Sequence, residues 1–359
     1  MACDTHCSRL RHWLAFAVLT GAAVGWLVPG VTLRAADDNG PQKTAQAANG
    51  QGDVQLVYAG DIVLSDLVGQ AIARGVDPFG ECAGILQEAD AAIGNLECVV
   101  ATGGQAIKKP WVFRADPQVL PVLGRHFGIV SLANNHTGDY SHEAFLEMLG
   151  FLEKHHLRYF GGGRNCAQAR TPLILELKGL RIALLGYNEF KPRTFEAGPT
   201  WPGVAWSVDE QVVADIRAAR TLHRAELVIP YLHWGWEHEP ANDRQEQLAR
   251  RMIDAGADLV VGGHPHVTQA VEYYAGKLIV YSLGNFVFDG FDEGPERVGW
   301  LLRLRLNKRG LVAWDTVVTE MDAEGTPHLR RDTASPSGVA GSERIEDRRA
   351  LVDSPLSKR

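Results

Sequence analysis

Five short apolar runs that each stop at polar, ligand-type residues constrain this chain more than any other feature. Val54–Ala59 stops at Gly60-Asp61, Ala91–Gly94 delivers Asn95 and Glu97, and Phe127–Leu132 ends at Ala133-Asn134-Asn135-His136. Leu227–Leu232 meets His233, and Asp258–Val261 leads through a glycine pair to His264-Pro265-His266. Runs of aliphatic and β-branched residues of this length read as buried strands. Open α/β sheets place ligand sites at the carboxyl ends of strands. The five ends are therefore expected to converge on one metal centre.

Oxygen and imidazole donors hold divalent metals when rigid elements pre-position them, and Asp61, Glu97, Asn135, His233, His264 and His266 are donors of these types. A pair of ions bridged by a carboxylate polarises a phosphoester and generates hydroxide near neutral pH. Taken singly, each residue also fits a plainer role. Asp61 suits a turn or helix cap, Asn134-Asn135 a turn, and His233 a core histidine bonded to a backbone carbonyl. His264 and His266 alternate around Pro265, so an extended backbone would point them to opposite sides. A loop at Pro265 would let each serve a different ion.

The rest of the chain reads as one large body with polar ends. Arg9 and Arg11 precede an apolar run from Trp13 to Val28, the pattern of a secretory n-region and h-region, with a mediocre cleavage site at Leu33-Arg34-Ala35. That run is short of the roughly 20 residues a spanning helix needs, and continuing through Leu33 brings it close. Residues 1–34 are thus expected to be a signal peptide or an uncleaved anchor, followed by a flexible linker over 35–52. Either places the body outside the cytoplasmic membrane, secreted or membrane-anchored. A domain over 53–325 and a disordered tail over 326–359 complete the division. Early strand–helix alternation with hairpins at Lys178-Gly179-Leu180, Ala275-Gly276-Lys277 and Lys308-Arg309-Gly310 predicts an α/β fold with mixed sheets.

Ser141 is a candidate helix cap, Ser207–Glu210 a capping box, and Asp243–Glu246 a further helix start. Tyr159-Phe160 and the three following glycines read as a loop. Of the five cysteines, Cys82, Cys98 and Cys166 lie in the body, at spacings that match neither a disulfide framework nor a zinc motif. They are expected to be buried apolar filler. A net charge of -7 argues against nucleic acid as a partner, while leaving room for a local basic pocket.

Gly60-Asp61-Ile62-Val63-Leu64, Gly94-Asn95-Leu96-Glu97, Ser131–Asp139, His233-Trp234-Gly235, Gly263–His266 with Val267 and Gln269, and Ser282–Phe288 together resemble the CapA family. These are capsule- or poly-γ-glutamate-synthesis proteins, a branch of the calcineurin-like metallophosphoesterase superfamily. The resemblance runs in order from Val54 to Phe288. It implies a metallophosphoesterase-like sandwich of two mixed β-sheets flanked by helices, holding one or two divalent ions (Mn, Fe or Zn). Asp61 and His266 would bind the first ion, Asn135, His233 and His264 the second, and Glu97 would bridge them. His136 would contact the leaving group or a phosphoryl oxygen as the catalytic histidine.

Two positions depart from the superfamily pattern. Val63 stands where a metal-binding histidine is usual, and Asn95-Leu96-Glu97 stands where a bridging aspartate is usual. The resemblance implies a role in making, anchoring or exporting an anionic surface polymer such as poly-γ-glutamate, with a metal-dependent hydrolase site. Rival readings are a non-catalytic accessory subunit of a polymer synthase and a generic metal-dependent phosphodiesterase. The implied partners are an anionic polymer or phosphoester substrate and a membrane polymer-synthase complex. Lys109, Trp111 and Arg114, beside Lys108, suit an anionic substrate, and equally a solvated loop around a packing tryptophan. Asn285 is a further substrate-side candidate, a residue that supports the metal ligands from behind, or a turn residue. Trp234, Trp236 and Glu237 fit a pocket rim or packing under the loop.

Overall fold

The computed structural model describes residues 52–291, 294–330, 333 and 335–339, so the expected signal segment and most of the linker lie outside the described residues. The first half of the domain runs β1 (Val54–Ile62), α1 (Asp66–Ala73), α2 (Ala83–Glu88), β2 (Ala91–Leu96), β3 (Val99–Val100) and β4 (Arg114–Ala115). It continues with α3 (Leu120–His126), β5 (Ile129–Ser131), α4 (Ser141–Lys154), β6 (Arg158–Phe160), β7 (Gly162–Gly163) and α5 (Cys166–Arg170). Then come β8 (Leu173–Leu177), β9 (Leu180–Asn188), β10 (Gly203–Val204), α6 (Asp209–Thr221), β11 (Leu227–His233), α7 (Asp243–Ala255) and β12 (Leu259–Gly263). The chain closes with β13 (Val271–Tyr274), β14 (Lys277–Val280), β15 (Asn285–Val287), β16 (Val298–Asn307), β17 (Gly310–Met321), β18 (Pro327–Leu329) and β19 (Ser337–Val339).

Two mixed sheets carry the fold, as expected. One is nine-stranded, in the order β18-β17-β16-β1-β2-β5-β6 with β15 beside β1 and β19 beside β17. The other is six-stranded, β13-β14-β12-β11-β9-β8. Period-2 alternation decides which residue serves which layer. Leu56 and Tyr58 of β1 pack with Ile229 and Tyr231 of β11 and Val261 of β12, filling the space between the sheets. Val57 and Ala59 point the other way, into a second core with Ile72 of α1, Leu123 of α3 and Phe145 and Leu149 of α4. Helices α6 and α7 cover the far side of the six-stranded sheet through β11 and β12. Among the described residues no helix is long and apolar enough to cross a membrane.

The three expected hairpins form as β8–β9, β13–β14 and β16–β17. Other local expectations need correcting. Ser141 is the first residue of α4, at φ 84°, and its hydroxyl donates to Glu143, so it caps nothing. Ser207 donates to Glu189 instead of capping α6, whose N-cap is Val208. The capping box belongs to α7 and is built on Asn242, one residue before the expected start: its Oδ1 accepts from the Gln245 amide at 3.0 Å, while Gln245 Oε1 accepts from the Asn242 amide at 3.1 Å. Arg158–Phe160 is a strand parallel to β5, and Gly162-Gly163 pairs with β10. The expected disordered tail also begins too early, because β18 and β19 both pair with β17 beyond residue 325. Strands of three residues carry too little alternation to be read from sequence. Cys82 and Cys98 are buried free thiols, whereas Cys166 departs from expectation in being disulfide-bonded.

His328 ties the β17–β18 hairpin back to the helical layer, with Nδ1 2.8 Å from Glu81 Oε2 and Nε2 3.0 Å from Asp322 Oδ2. Those hydrogen bonds, to Asp322 first and Glu81 second, hold the imidazole above its ordinary pKa. A raised folded-state pKa contributes stability that is complete below the unfolded value of about 6.5 and is lost as pH rises through the folded value. His328→Gln is therefore expected to flatten the decline of stability above about pH 6.5 in urea melts, by less than about 1 kcal/mol because the group is half-exposed. An identical pH slope in the variant would remove His328 as its source.

Candidate metal centre

The carboxyl ends of β1, β2 and β5 from one sheet face those of β9, β11 and β12 from the other. Parallel pairing sets Asp61 opposite Asn95 on β2 and opposite Asn285 on β15. Asp61 Oδ1 accepts from the Asn95 amide at 2.8 Å, and Oδ2 accepts from the His264 backbone N–H at 3.1 Å. Two glycines allow this approach. A Cβ on Gly60 would sit 1.9 Å from the Gly284 carbonyl oxygen, and one on Gly263 would sit 2.3 Å from the Tyr231 hydroxyl and 2.8 Å from Asp61 Oδ1. Only a residue without a side chain fits such backbone contact.

Around Asp61 the six predicted donors come together. Glu97, His233 and His264 form one triad and Asp61, Glu97 and His266 another, each with ligand atoms mutually within 4.8 Å. Glu97 belongs to both. Asn135 Oδ1 lies 2.6 Å from His233 Nε2, which places it with the first triad. His264 and His266 have left-handed backbones, φ 95° and 58°, so the Pro265 segment is a turn. Both rings consequently reach the cluster, 5.8 Å apart between centroids.

The electrostatics fit a cation. Both carboxylate oxygens of Glu97 and Nε2 of His264 are buried with no hydrogen-bond partner among the described residues. Buried polar atoms are nearly always paired, and an unpaired carboxylate costs several kcal/mol. Burial, and then the negative charge of Asp61, pushes the Glu97 carboxyl well above its usual range. Burial holds the His233 imidazole down to about 3 and His264 well below its ordinary value. Both histidines are thereby neutral, the form that ligates a metal. Imidazole, carboxylate and amide oxygen donors are types that hold divalent metals. Val63 is fully buried in the apolar core, its N–H donating to Val287 O at 2.7 Å, and offers no donor.

His136 stands at the edge of this cluster. Its Nδ1 is 2.7 Å from Asp139 Oδ2 and 3.1 Å from Lys109 Nζ, and the Phe113 ring centroid lies 4.4 Å from its own. Lys109 also pairs with Asp139 Oδ1 at 2.6 Å and donates to the Asn135 carbonyl at 2.8 Å. Burial lowers His136 to about 4 despite Asp139, and lowers Lys109.

The other substrate-side candidates divide. Arg114 donates to the Gly103 carbonyl at 3.0 Å and lies 4.5 Å over the Tyr140 ring, which ties it to its own loop. Trp111 is 72% exposed. Asn285 is fully buried, its Oδ1 2.9 Å from His266 Nδ1 and its amide donating to Glu296 O at 2.9 Å, so it orients a donor rather than facing substrate. Trp234 is packing: it is fully buried and its indole donates to Tyr281 O at 2.9 Å. Trp236 lines the rim of a cavity of about 630 Å³ with Phe190, whose ring centroid is 3.9 Å from that of His264.

Four contributors carried no role in the sequence reading. Asn95, Asn134, Asp139 and Phe190 bind Asp61, Asn95, His136 and the His264 face respectively. The first three lie inside the motifs quoted above. Phe190 follows the end of β9, where Asn188-Glu189 repeats the strand-end polar pattern.

A family model described as bacterial capsule synthesis protein PGA_cap matches residues 55–290. The PGA biosynthesis protein CapA of Bacillus subtilis (strain 168) is 34% identical over 279 residues, covering 75% of this chain and 72% of that protein. The capsule biosynthesis protein CapA of Bacillus anthracis is 30% identical over 283 residues, covering 76% and 68%. Among solved structures, the 5'-nucleotidase precursor from Thermus thermophilus superposes with a TM-score of 0.47 at 13% identity, over 77% of this chain and 56% of that one.

Proposed function

We propose, given that the chain belongs to the bacterial capsule synthesis protein PGA_cap family, that it is an extracytoplasmic metal-dependent hydrolase. It acts in the synthesis, anchoring or export of an anionic capsule polymer of the poly-γ-glutamate type. The observation that carries this reading is Glu97, a buried carboxylate shared by both donor triads with no hydrogen-bond partner among the described residues. Asp61 and His266 would hold one divalent ion, Asn135, His233 and His264 the other, with Glu97 between them. Such ions polarise the scissile group and supply hydroxide near neutral pH.

The chain's own residues do the rest. Asp139 fixes the His136 ring through Nδ1, which leaves Nε2 to take a proton from the attacking water and return it to the leaving group. Lys109, held between Asp139 and the Asn135 carbonyl, places a positive charge where an anionic substrate enters. Val63 supports a second reading, an accessory subunit of a polymer synthase, because it leaves the Asp61 ion with fewer protein donors.

The test is turnover by purified protein of an aryl phosphodiester and of a γ-glutamyl polymer, with and without added Mn²⁺ or Zn²⁺. Metal-dependent cleavage of the polymer, abolished by chelator and reduced about 100-fold or more in His264→Ala, is expected. Metal uptake without turnover of either substrate would favour the accessory reading. Cleavage of the aryl ester alone would favour a generic phosphodiesterase.

A further inference from the structure

Glu237 lies on the solvent side of the centre, outside both triads. Its carboxylate comes within 4.8 Å of ring nitrogens of both His264 and His266. The segment that carries it is stitched to the His264–His266 turn at both ends: Trp234 N–H donates to Gly263 O at 3.2 Å and His238 N–H to Pro265 O at 2.8 Å. Gly235 turns the backbone between them at φ 86°, where a Cβ would lie 2.7 Å from Gln245 Oε1. The backbone under Glu237 is therefore pinned, while its side chain is exposed. Neighbouring polar groups are engaged elsewhere, His238 with Glu296 at 2.7 Å and the Glu239 carbonyl with Gln269 at 2.8 Å. The Glu237 carboxylate has no hydrogen bond or ion pair among the described residues. Its charge nevertheless acts on His233 and Lys109.

Val63 contributes no donor, so an ion near His266 would have Asp61, Glu97 and His266 as its side-chain ligands. Divalent ions of this class take four or more donors. We propose that Glu237 supplies a further donor from the solvent side, closing on the ion at His266 by side-chain rotation alone. This rests on the metal-centre reading above. It assigns the departure at Val63 a compensation from a different strand end, the loop after β11.

Isothermal titration of the metal-free full chain with Mn²⁺ tests the assignment. Glu237→Gln is expected to weaken one binding event by about 10-fold or more, the scale on which even the outer partners of metal ligands act. Glu239→Gln, which removes the same charge two residues along, is expected to leave the affinity at its wild-type value. Metal-free melting of both variants should match wild type, since both side chains are exposed. Wild-type affinity in Glu237→Gln, or equal weakening in Glu239→Gln, would overturn the assignment while leaving the metal centre standing. A wild-type chain that takes up no Mn²⁺ would overturn both.

Discussion

Glu97→Met is expected to make the metal-free protein more stable than wild type and to abolish its stabilisation by added metal. The Glu97 side chain is fully buried, and neither oxygen has a hydrogen-bond partner among the described residues. His233 Nε2 lies 3.2 Å from Oε1, and burial keeps that imidazole neutral. A buried carboxyl without hydrogen-bond partners is a liability whether it ionises or is kept protonated, and apolar replacement of buried ionisable groups often stabilises by about 1–4 kcal/mol. Methionine is unbranched and similar in length, so it fills the space without strain. For a chain of this size each kcal/mol corresponds to roughly 2–4 °C in melting temperature. Wild type, by contrast, should gain about 2.7 kcal/mol per site when metal is present at 100 times its dissociation constant. Thermal melts with and without Mn²⁺ measure both effects. A metal-free variant that melts below wild type, or one still stabilised by Mn²⁺, would refute the assignment of Glu97.

Trp234→Ala should be the most damaging single change near the site that touches no donor. The indole is fully buried, stacks on Tyr281 with centroids 6.1 Å apart, and donates to Tyr281 O at 2.9 Å. Gly262 packs so closely that a Cβ there would lie 2.5 Å from the indole nitrogen. Truncation leaves a cavity and an unpaired carbonyl, at a cost of about 3–5 kcal/mol. Trp234→Phe keeps the ring and loses the N–H, and should cost about 1–2 kcal/mol. The difference between the two, read from denaturant midpoints, separates packing from hydrogen bonding. An alanine variant within about 1 kcal/mol of wild type would show that the indole is not part of the core.

The donors were legible in the sequence because strand ends are marked twice, by an apolar run and by the polar residue that stops it. Asp61, Glu97, Asn135, His233, His264 and His266 all carry that mark, and all six meet. The mixed character of the sheets was legible from the hairpin turns between strand-like segments, while the two-sheet sandwich followed only from the family resemblance. What escaped notice depends on tertiary partners. Ser207 has the composition of a cap, yet Glu189 from another segment captures its hydroxyl. Asp139 looks like any loop aspartate until His136 and Lys109 fold onto it. Glu237 reads in the sequence only as a pocket-rim or packing residue, and its nearness to His264 and His266 emerges from the folded turn. Arg114 was open to two readings, a substrate contact or a loop charge, and in the fold it donates to the Gly103 carbonyl and lies over the Tyr140 ring.

The pairing of Asp61 with partners far along the chain sets an order of events in the protein's making. The His264 amide that Asp61 accepts from is 203 residues downstream, and β15, which fixes the register of Asn285, comes later still. β16, which pairs with β1 along the same edge as β15, is later again. A growing chain therefore carries its first donor strand with one edge unpaired until most of the domain has been synthesised. A metal at the proposed centre would find no completed site before that point, so it would reward the finished fold and not template it. Contacts this distant in sequence slow folding. The interval before β15 and β16 arrive is when this protein is most exposed to mispairing along β1.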